Sequence, residues 1–156
     1  MIQHGVRAAS ALLAFWMSFA IYLAVDFWLS LWHLHEMPRW SLPFILFLLV
    51  QVSLIYVVAR IATPEVEVGK QIDMAGHFQR SHRRMFEVLG VYMLLALAAN
   101  QMIPGFGDLR LKVFALSYSI LFFAASRIVS ITWQRVIVVV TIGFTVAYSS
   151  LYLSGI

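Results

Sequence analysis

The chain has 156 residues, of which 62% are hydrophobic and 12% are charged, whereas soluble domains are typically about half apolar and about a quarter charged. This composition excludes a water-soluble globular protein, because a chain of this length cannot bury so much apolar surface, and lipid must therefore be the solvent for most of it. The net charge of +4 does not indicate nucleic acid as a partner, since the basic residues flank apolar runs, and the absence of cysteine excludes disulfides, thiolate metal sites and a cysteine nucleophile.

Five apolar runs follow one another along the chain, each close to the roughly 20 residues that a helix needs to cross a bilayer. Such spans are expected to be helical, because lipid offers no hydrogen-bond partner to open backbone groups. The first run is longer than a signal-peptide core of roughly 7–15 residues, so we expect it to be retained. The sequence therefore predicts an all-α membrane protein with five transmembrane helices, at about residues 8–32, 42–59, 85–103, 111–131 and 136–155.

The links between these runs predict the topology. The long link at 60–79 contains Pro64 and Gly69, and the links at 104–108 and 132–135 are short, so neighbouring helices are expected to be antiparallel. With a cytoplasmic N-terminus, eight basic residues lie on the cytoplasmic side and three outside, which favours this orientation and an external C-terminus. The eight are Arg7, Arg60, Lys70, Arg80, Arg83, Arg84, Arg127 and Arg135, and the three are Arg39, Arg110 and Lys112.

One acidic residue, Asp26, lies inside the first apolar run, where it could face another helix or a wet pocket. Asp26, His33 and Glu36 have the i, i+7, i+10 spacing of a single helix face, and histidine with carboxylates can bind zinc or copper. The alternative is a polar helix end at the outer interface.

Residues 80–87 form the most charged helix entrance of the chain. At about 100° per residue, Arg80, Arg84 and Glu87 fall on one helix face, with Arg83 close by. This face could bind a ligand with carboxylates and an amine, because guanidinium groups bind carboxylates in a bidentate manner and Glu87 could receive the amine. The alternative is an ordinary basic collar in which Glu87 pairs with Arg83 or Arg84.

Three more arginines stand at predicted helix ends on the same side: Arg60, Arg127 and Arg135. An arginine beside a bound thiol would favour the thiolate, which is the reactive form. The alternative is that these side chains extend along the apolar surface to reach water.

Four segments in order carry a likeness to a known family. They are Arg60–Glu65, an arginine followed by a Pro-Glu loop; Arg80–Glu87; Ser126–Ser130; and Arg135 followed by an apolar helix with Gly143. Together they resemble the MAPEG superfamily, the membrane-associated proteins of eicosanoid and glutathione metabolism, and most closely its microsomal glutathione transferases. The likeness covers roughly residues 43–155.

The resemblance implies a MAPEG-like four-helix domain over residues 41–156, with residues 1–40 as an added helix and outer loop. It also implies a homotrimer with sites between subunits. Glutathione would be the cosubstrate, and its thiolate would attack a lipophilic electrophile arriving from the bilayer lipid. Arg135 would be the catalytic residue that stabilises the thiolate, and the glutathione-binding set would be Arg80, His82, Arg84, Glu87, Arg60 and Arg127. His82 would act toward a neighbouring subunit, because helical geometry turns it about 160° away from Arg80.

A second hypothesis is a non-catalytic MAPEG-like protein, either a lipid-binding scaffold or an accessory subunit of a larger membrane complex. The departures from the family pattern favour it: Arg84 stands where the family keeps asparagine, and Ser130 where it keeps histidine or tyrosine. The added first helix also favours it, as a docking surface.

Overall fold

Helices make up all the regular structure of the computed structural model, which describes residues 2–33, 41–65, 73–102 and 109–153. Within those ranges there is no strand, so the predicted all-α class is confirmed for them. The five helices are α1 (Ile2–His33), α2 (Leu42–Ala62), α3 (Met74–Met102), α4 (Leu109–Ala125) and α5 (Ile131–Leu153).

Three of these helices are long and apolar enough to cross a membrane: residues Arg7–Trp32 of α1, the whole of α2, and residues Ile131–Ser150 of α5. Helix α3 is less apolar because its N-terminal half carries three arginines and a glutamate. Helix α4 has 17 residues, about 26 Å in length, against a hydrocarbon core of about 30 Å. Membrane crossing by α3 and α4 therefore stays a prediction.

Helix α3 begins at Met74, well before the predicted start near residue 85. The reason is a cap: the Asp73 carboxylate accepts the Gly76 N–H at 2.9 Å, and the Asp73 carbonyl accepts the His77 N–H at 2.9 Å. Such a cap provides hydrogen-bond acceptors for the unpaired backbone N–H groups at the start of a helix. A hydropathy profile does not detect it. The expected loop at 60–79 is thus wrong for residues 74–79, and also for residues 60–62, which belong to α2. Residues 80–87 occupy the second to fourth turns of α3.

The link between α4 and α5 also lies elsewhere than predicted, at 126–130 instead of 132–135. Side chains donate to backbone carbonyls at the end of α4 and in the link. Ser126 Oγ donates to the Phe123 carbonyl, and Gln134 Nε2 donates to the carbonyls of Ala125 and Ile128. These polar contacts end α4 inside an apolar run, so hydropathy alone placed its end too late.

Helix α4 is antiparallel to α3 and to α5. In each of these two pairs, residues later in one helix contact residues earlier in the other. The contacts are Ser119 with Gly90, Phe122 with Phe86, Ala125 with Gln134, and Tyr118 with Thr145.

Helix α1 completes the bundle by packing against α2, α3 and α5. It is antiparallel to α2, since Phe27 and Leu31 near its end contact Phe44 and Leu48 near the start of α2. It is parallel to α5, because Tyr22 contacts Ser149 in the C-terminal halves of both helices, and the N-terminal halves of the two helices line one groove.

The core is centred on Trp16 of α1, which is 0% exposed. Its ring meets Phe86 of α3 edge to face at 4.8 Å and Phe122 of α4 at 6.0 Å, and both partners are also fully buried. Its indole N–H has no hydrogen-bond partner in the described part of the chain. Ring packing therefore holds Trp16, and through it α1 is joined to α3 and α4.

Large apolar side chains cover the outside of the bundle, among them Ile21, Tyr56 and Val139. Exposed tryptophans lie at both ends: Trp133 at the start of α5, and Trp28 and Trp32 near the end of α1. An apolar belt with amphipathic rings at its edges is typical of a surface solvated by lipid.

We expect Trp16→Ala to destabilise the bundle. In water-soluble cores such a truncation costs about 3–5 kcal/mol. Here lipid is as apolar as the core, so we expect mainly the packing loss, about 2 kcal/mol. SDS-induced unfolding of the detergent-solubilised protein, followed by circular dichroism, measures the change. Trp28→Ala is the matched control on the same helix, since Trp28 is 66% exposed; equal stability of the two variants would contradict the assigned core.

Candidate functional site

Arginines collect at one end of the bundle, because the starts of α1, α3 and α5 lie beside the ends of α2 and α4. A contact across this end is the His77 ring of α3, which donates from Nε2 to the Ile61 carbonyl of α2 at 3.1 Å. We call it the basic end; its arginines are Arg7, Arg60, Arg80, Arg83, Arg84, Arg127 and Arg135.

The charged face of α3 points away from the other helices. Arg80 and Arg84 are exposed, and Arg83 donates from Nε to Glu87 Oε1 at 2.9 Å, with both of these side chains partly in solvent. This i, i+4 pair is the arrangement that an ordinary basic collar predicts, and exposed pairs of this kind contribute about 0.3–0.5 kcal/mol. The Glu87 carboxylate therefore already has a partner within its own helix.

His82 lies on the opposite side of α3 from these arginines. It is 6% exposed, its ring stacks on Phe78, and it donates from Nδ1 to the Gln79 carbonyl at 2.8 Å. The turn away from Arg80 expected from helical geometry is present. Within one chain, His82 belongs to the interior and does not share a surface with Arg80 and Arg84.

Arg60 and Arg127 stand apart from that face as well. Arg60 lies in the last turn of α2 and donates from Nη2 to Glu65 Oε1 at 3.0 Å, and both side chains are exposed. Arg127 is exposed in the turn that follows α4. Both arginines are at the basic end, but neither lies in a pocket together with the arginines of α3.

Arg135 lies in a different setting, an open groove between α1 and α5 with a volume of about 770 Å³. Arg7 shares this groove, and neither arginine forms an ion pair with a residue that the structure describes. The walls are apolar, and no residue of α3 contributes to them. They are formed by Ala8, Ala11, Leu12, Phe15, Val138 and Val139.

Gln134 positions Arg135. Its fully buried side chain spans from the first turn of α5 to the carbonyls of Ala125 and Ile128, and so ties the start of α5 to the end of α4. Small residues on the facing side of α1, Ala8 and Ala11, leave the space that becomes the groove. Hydropathy and arginine counting did not reveal the pairing of Arg7 with Arg135, because neither reports which helices are neighbours.

Asp26 lines a second cavity, of about 80 Å³, toward the other end of the bundle. This is one of the two settings expected for a carboxyl inside an apolar run. The suggested metal site cannot be assembled from the described residues: the His33 side chain and Glu36 lie outside them, and within them no three histidine or acidic side chains form a metal-binding group.

No protein-family model, curated protein or solved structure matches the chain. The resemblance to the MAPEG superfamily therefore rests on the four sequence segments alone, and it stays a prediction.

Proposed function

We propose that this chain is an integral membrane protein that binds an anionic amphiphile in the groove between α1 and α5. The observation that carries the proposal is that Arg7 and Arg135 line one open groove whose other walls are apolar. A negatively charged head would meet two guanidinium groups, while its hydrocarbon part would lie against Leu12, Phe15 and Val139.

The charges of the groove favour an anion over a neutral lipid. Both arginines are exposed, and no carboxylate among the described residues neutralises either of them. A basic residue near a membrane surface contributes about 1 kcal/mol to binding of an acidic headgroup. Two arginines together then favour the anionic ligand by about 2 kcal/mol, roughly thirtyfold in affinity.

The narrower form of this proposal is a glutathione-dependent enzyme, as the MAPEG resemblance implies. The guanidinium of Arg135 would favour the thiolate of glutathione, and the thiolate sulfur would attack an electrophile dissolved in the lipid. This form requires a second copy of the chain, because α3, with Arg80, Arg84 and Glu87, contributes nothing to the groove of its own chain. The homotrimer that the family resemblance implies would supply that copy.

The second candidate is a non-catalytic lipid-binding scaffold or an accessory subunit of a larger membrane complex. The Arg83–Glu87 pair favours it, since Glu87 is then engaged within α3 rather than open to a ligand amine. Both candidates use the same groove and differ in whether glutathione binds.

Substitution of both groove arginines, Arg7→Ala with Arg135→Ala, should remove the preference for anionic lipid. Native mass spectrometry of the protein with phosphatidylglycerol and phosphatidylcholine of equal chain length measures that preference. We expect roughly a fivefold loss for each arginine. Lys112→Ala, near the start of α4 at the opposite end, is the control and should behave like the wild type. A double variant that keeps the wild-type preference would contradict the groove assignment.

Glutathione binding separates the enzyme from the scaffold. Calorimetry on the detergent-purified protein, with its oligomeric state measured by light scattering, should give saturable binding to an oligomer. Arg80→Ala, Glu87→Ala and Arg135→Ala should each weaken this binding at least tenfold, because each would remove a charged contact to the ligand. A wild-type protein without glutathione binding would exclude the enzyme as stated here, and binding that survives all three substitutions would move the site elsewhere.

A further inference from the structure

The cavity that Asp26 lines is formed by four helices, α1, α3, α4 and α5. Asp26 lies six to seven residues from the midpoint of the apolar segment Arg7–Trp32, about 10 Å along the helix axis. The half-thickness of a hydrocarbon core is about 15 Å, so a span centred in the bilayer holds this carboxyl inside the hydrocarbon. A carboxyl at that depth is expensive and marks a functional site by default.

No positively charged side chain among the described residues neutralises the Asp26 carboxyl. No lysine, arginine or histidine among them pairs with the Asp26 carboxyl, and no side chain donates a hydrogen bond to it. Leu111 lines the cavity, whereas the two cations beside it in sequence, Arg110 and Lys112, do not. The carboxyl is therefore left for a ligand to neutralise.

Half of the residues that line the cavity are aromatic, and the faces of their rings carry partial negative charge that attracts cations. Two tyrosine hydroxyls are engaged elsewhere: Tyr22 Oη lies 3.4 Å from Ser149 Oγ, and Tyr118 Oη lies 2.8 Å from Thr145 Oγ1. The ring residues of the wall are Phe19, Tyr22, Tyr92, Phe114, Tyr118 and Tyr148.

We propose that this cavity binds a small alkylated ammonium ion, with Asp26 as the counter-charge and the aromatic rings as the wall. An inorganic cation fits less well, because Ca²⁺ or Mg²⁺ requires about six oxygen ligands, and the side chains of the wall offer one carboxylate and four tyrosine hydroxyls, two of which are engaged elsewhere. An organic cation needs no such oxygen shell, since carboxylate and ring faces together neutralise a quaternary ammonium.

The size of the cavity limits the ligand. A water molecule needs roughly 10–15 Å³ of such a volume, so about 80 Å³ has room for roughly six groups of that size. Tetramethylammonium has five heavy atoms and fits this limit. The same chemistry occurs in the choline headgroup of a lipid, so the experiment has to distinguish a free ion from a headgroup.

The test is calorimetric titration of tetramethylammonium chloride into the full chain in phosphatidylglycerol nanodiscs, which contain no other alkylated ammonium. We expect saturable binding that Asp26→Asn weakens at least tenfold, because the counter-charge is lost. Asp73→Asn makes the same change at an exposed position outside the cavity and should leave binding unchanged. The same titration is run in phosphatidylcholine nanodiscs, with both lipids at about 1 M salt, because salt screens the attraction of a cation to anionic phosphatidylglycerol. An apparent affinity that is then lower in phosphatidylcholine identifies a lipid headgroup as the occupant, and an equal affinity identifies a free ion.

If circular dichroism shows that Asp26→Asn does not fold, a second variant still tests the proposal. Ala96→Leu leaves the carboxyl in place and fills the cavity from α3, so it should also weaken binding at least tenfold. The neutral analogue tert-butanol, which has the same number of heavy atoms, should not bind. The assignment is overturned if the wild type shows no saturable binding, if a folded Asp26→Asn or Ala96→Leu binds with wild-type affinity, or if tert-butanol binds equally well.

Discussion

The edge-to-face packing of Trp16 against Phe86 is the contact on which the arrangement of this bundle depends. Lipid tails are as apolar as leucine, so burial of apolar surface alone gives little drive for helices to associate in a membrane. Interlocking aromatic rings instead stabilise the association of the helices, through close packing with a defined geometry. Because Trp16 also approaches Phe122, one side chain of α1 sets the position of α3 and of α4.

Both candidate binding sites follow from that placement of α1. With α1 parallel to α5, Arg7 comes beside Arg135 at the basic end, and Asp26 comes to the aromatic cavity toward the other end. The two sites carry opposite charge and are separated along the bundle axis. An anion and a cation would therefore bind near different faces of the membrane, each held by a small number of charges in mostly apolar surroundings.

For the described residues, the sequence was sufficient to predict properties that depend on composition along the chain, such as the helical class, the number of helices and the approximate position of each. It was insufficient where local polar contacts decide: the Asp73 cap starts α3 early, and Gln134 helps to end α4 inside an apolar run. The sequence also did not predict which helices pack side by side. Spacing along α3 grouped Arg80, Arg84 and Glu87 on one face, but only the packing of the helices shows that Arg135 shares its groove with Arg7 and not with them.

Both proposed sites depend on the prediction that all five helices cross the membrane, with the basic end on one side. The chain has no cysteine, so single cysteines can be introduced without removing any. Glu65→Cys and Ser130→Cys lie at the basic end, and Leu109→Cys lies at the other end, all at exposed positions. With a membrane-impermeant maleimide in oriented vesicles, the account predicts that the first two are labelled from one side and Leu109→Cys from the opposite side. Labelling of Leu109→Cys from the same side as Glu65→Cys would contradict it, because α3 and α4 would then not cross.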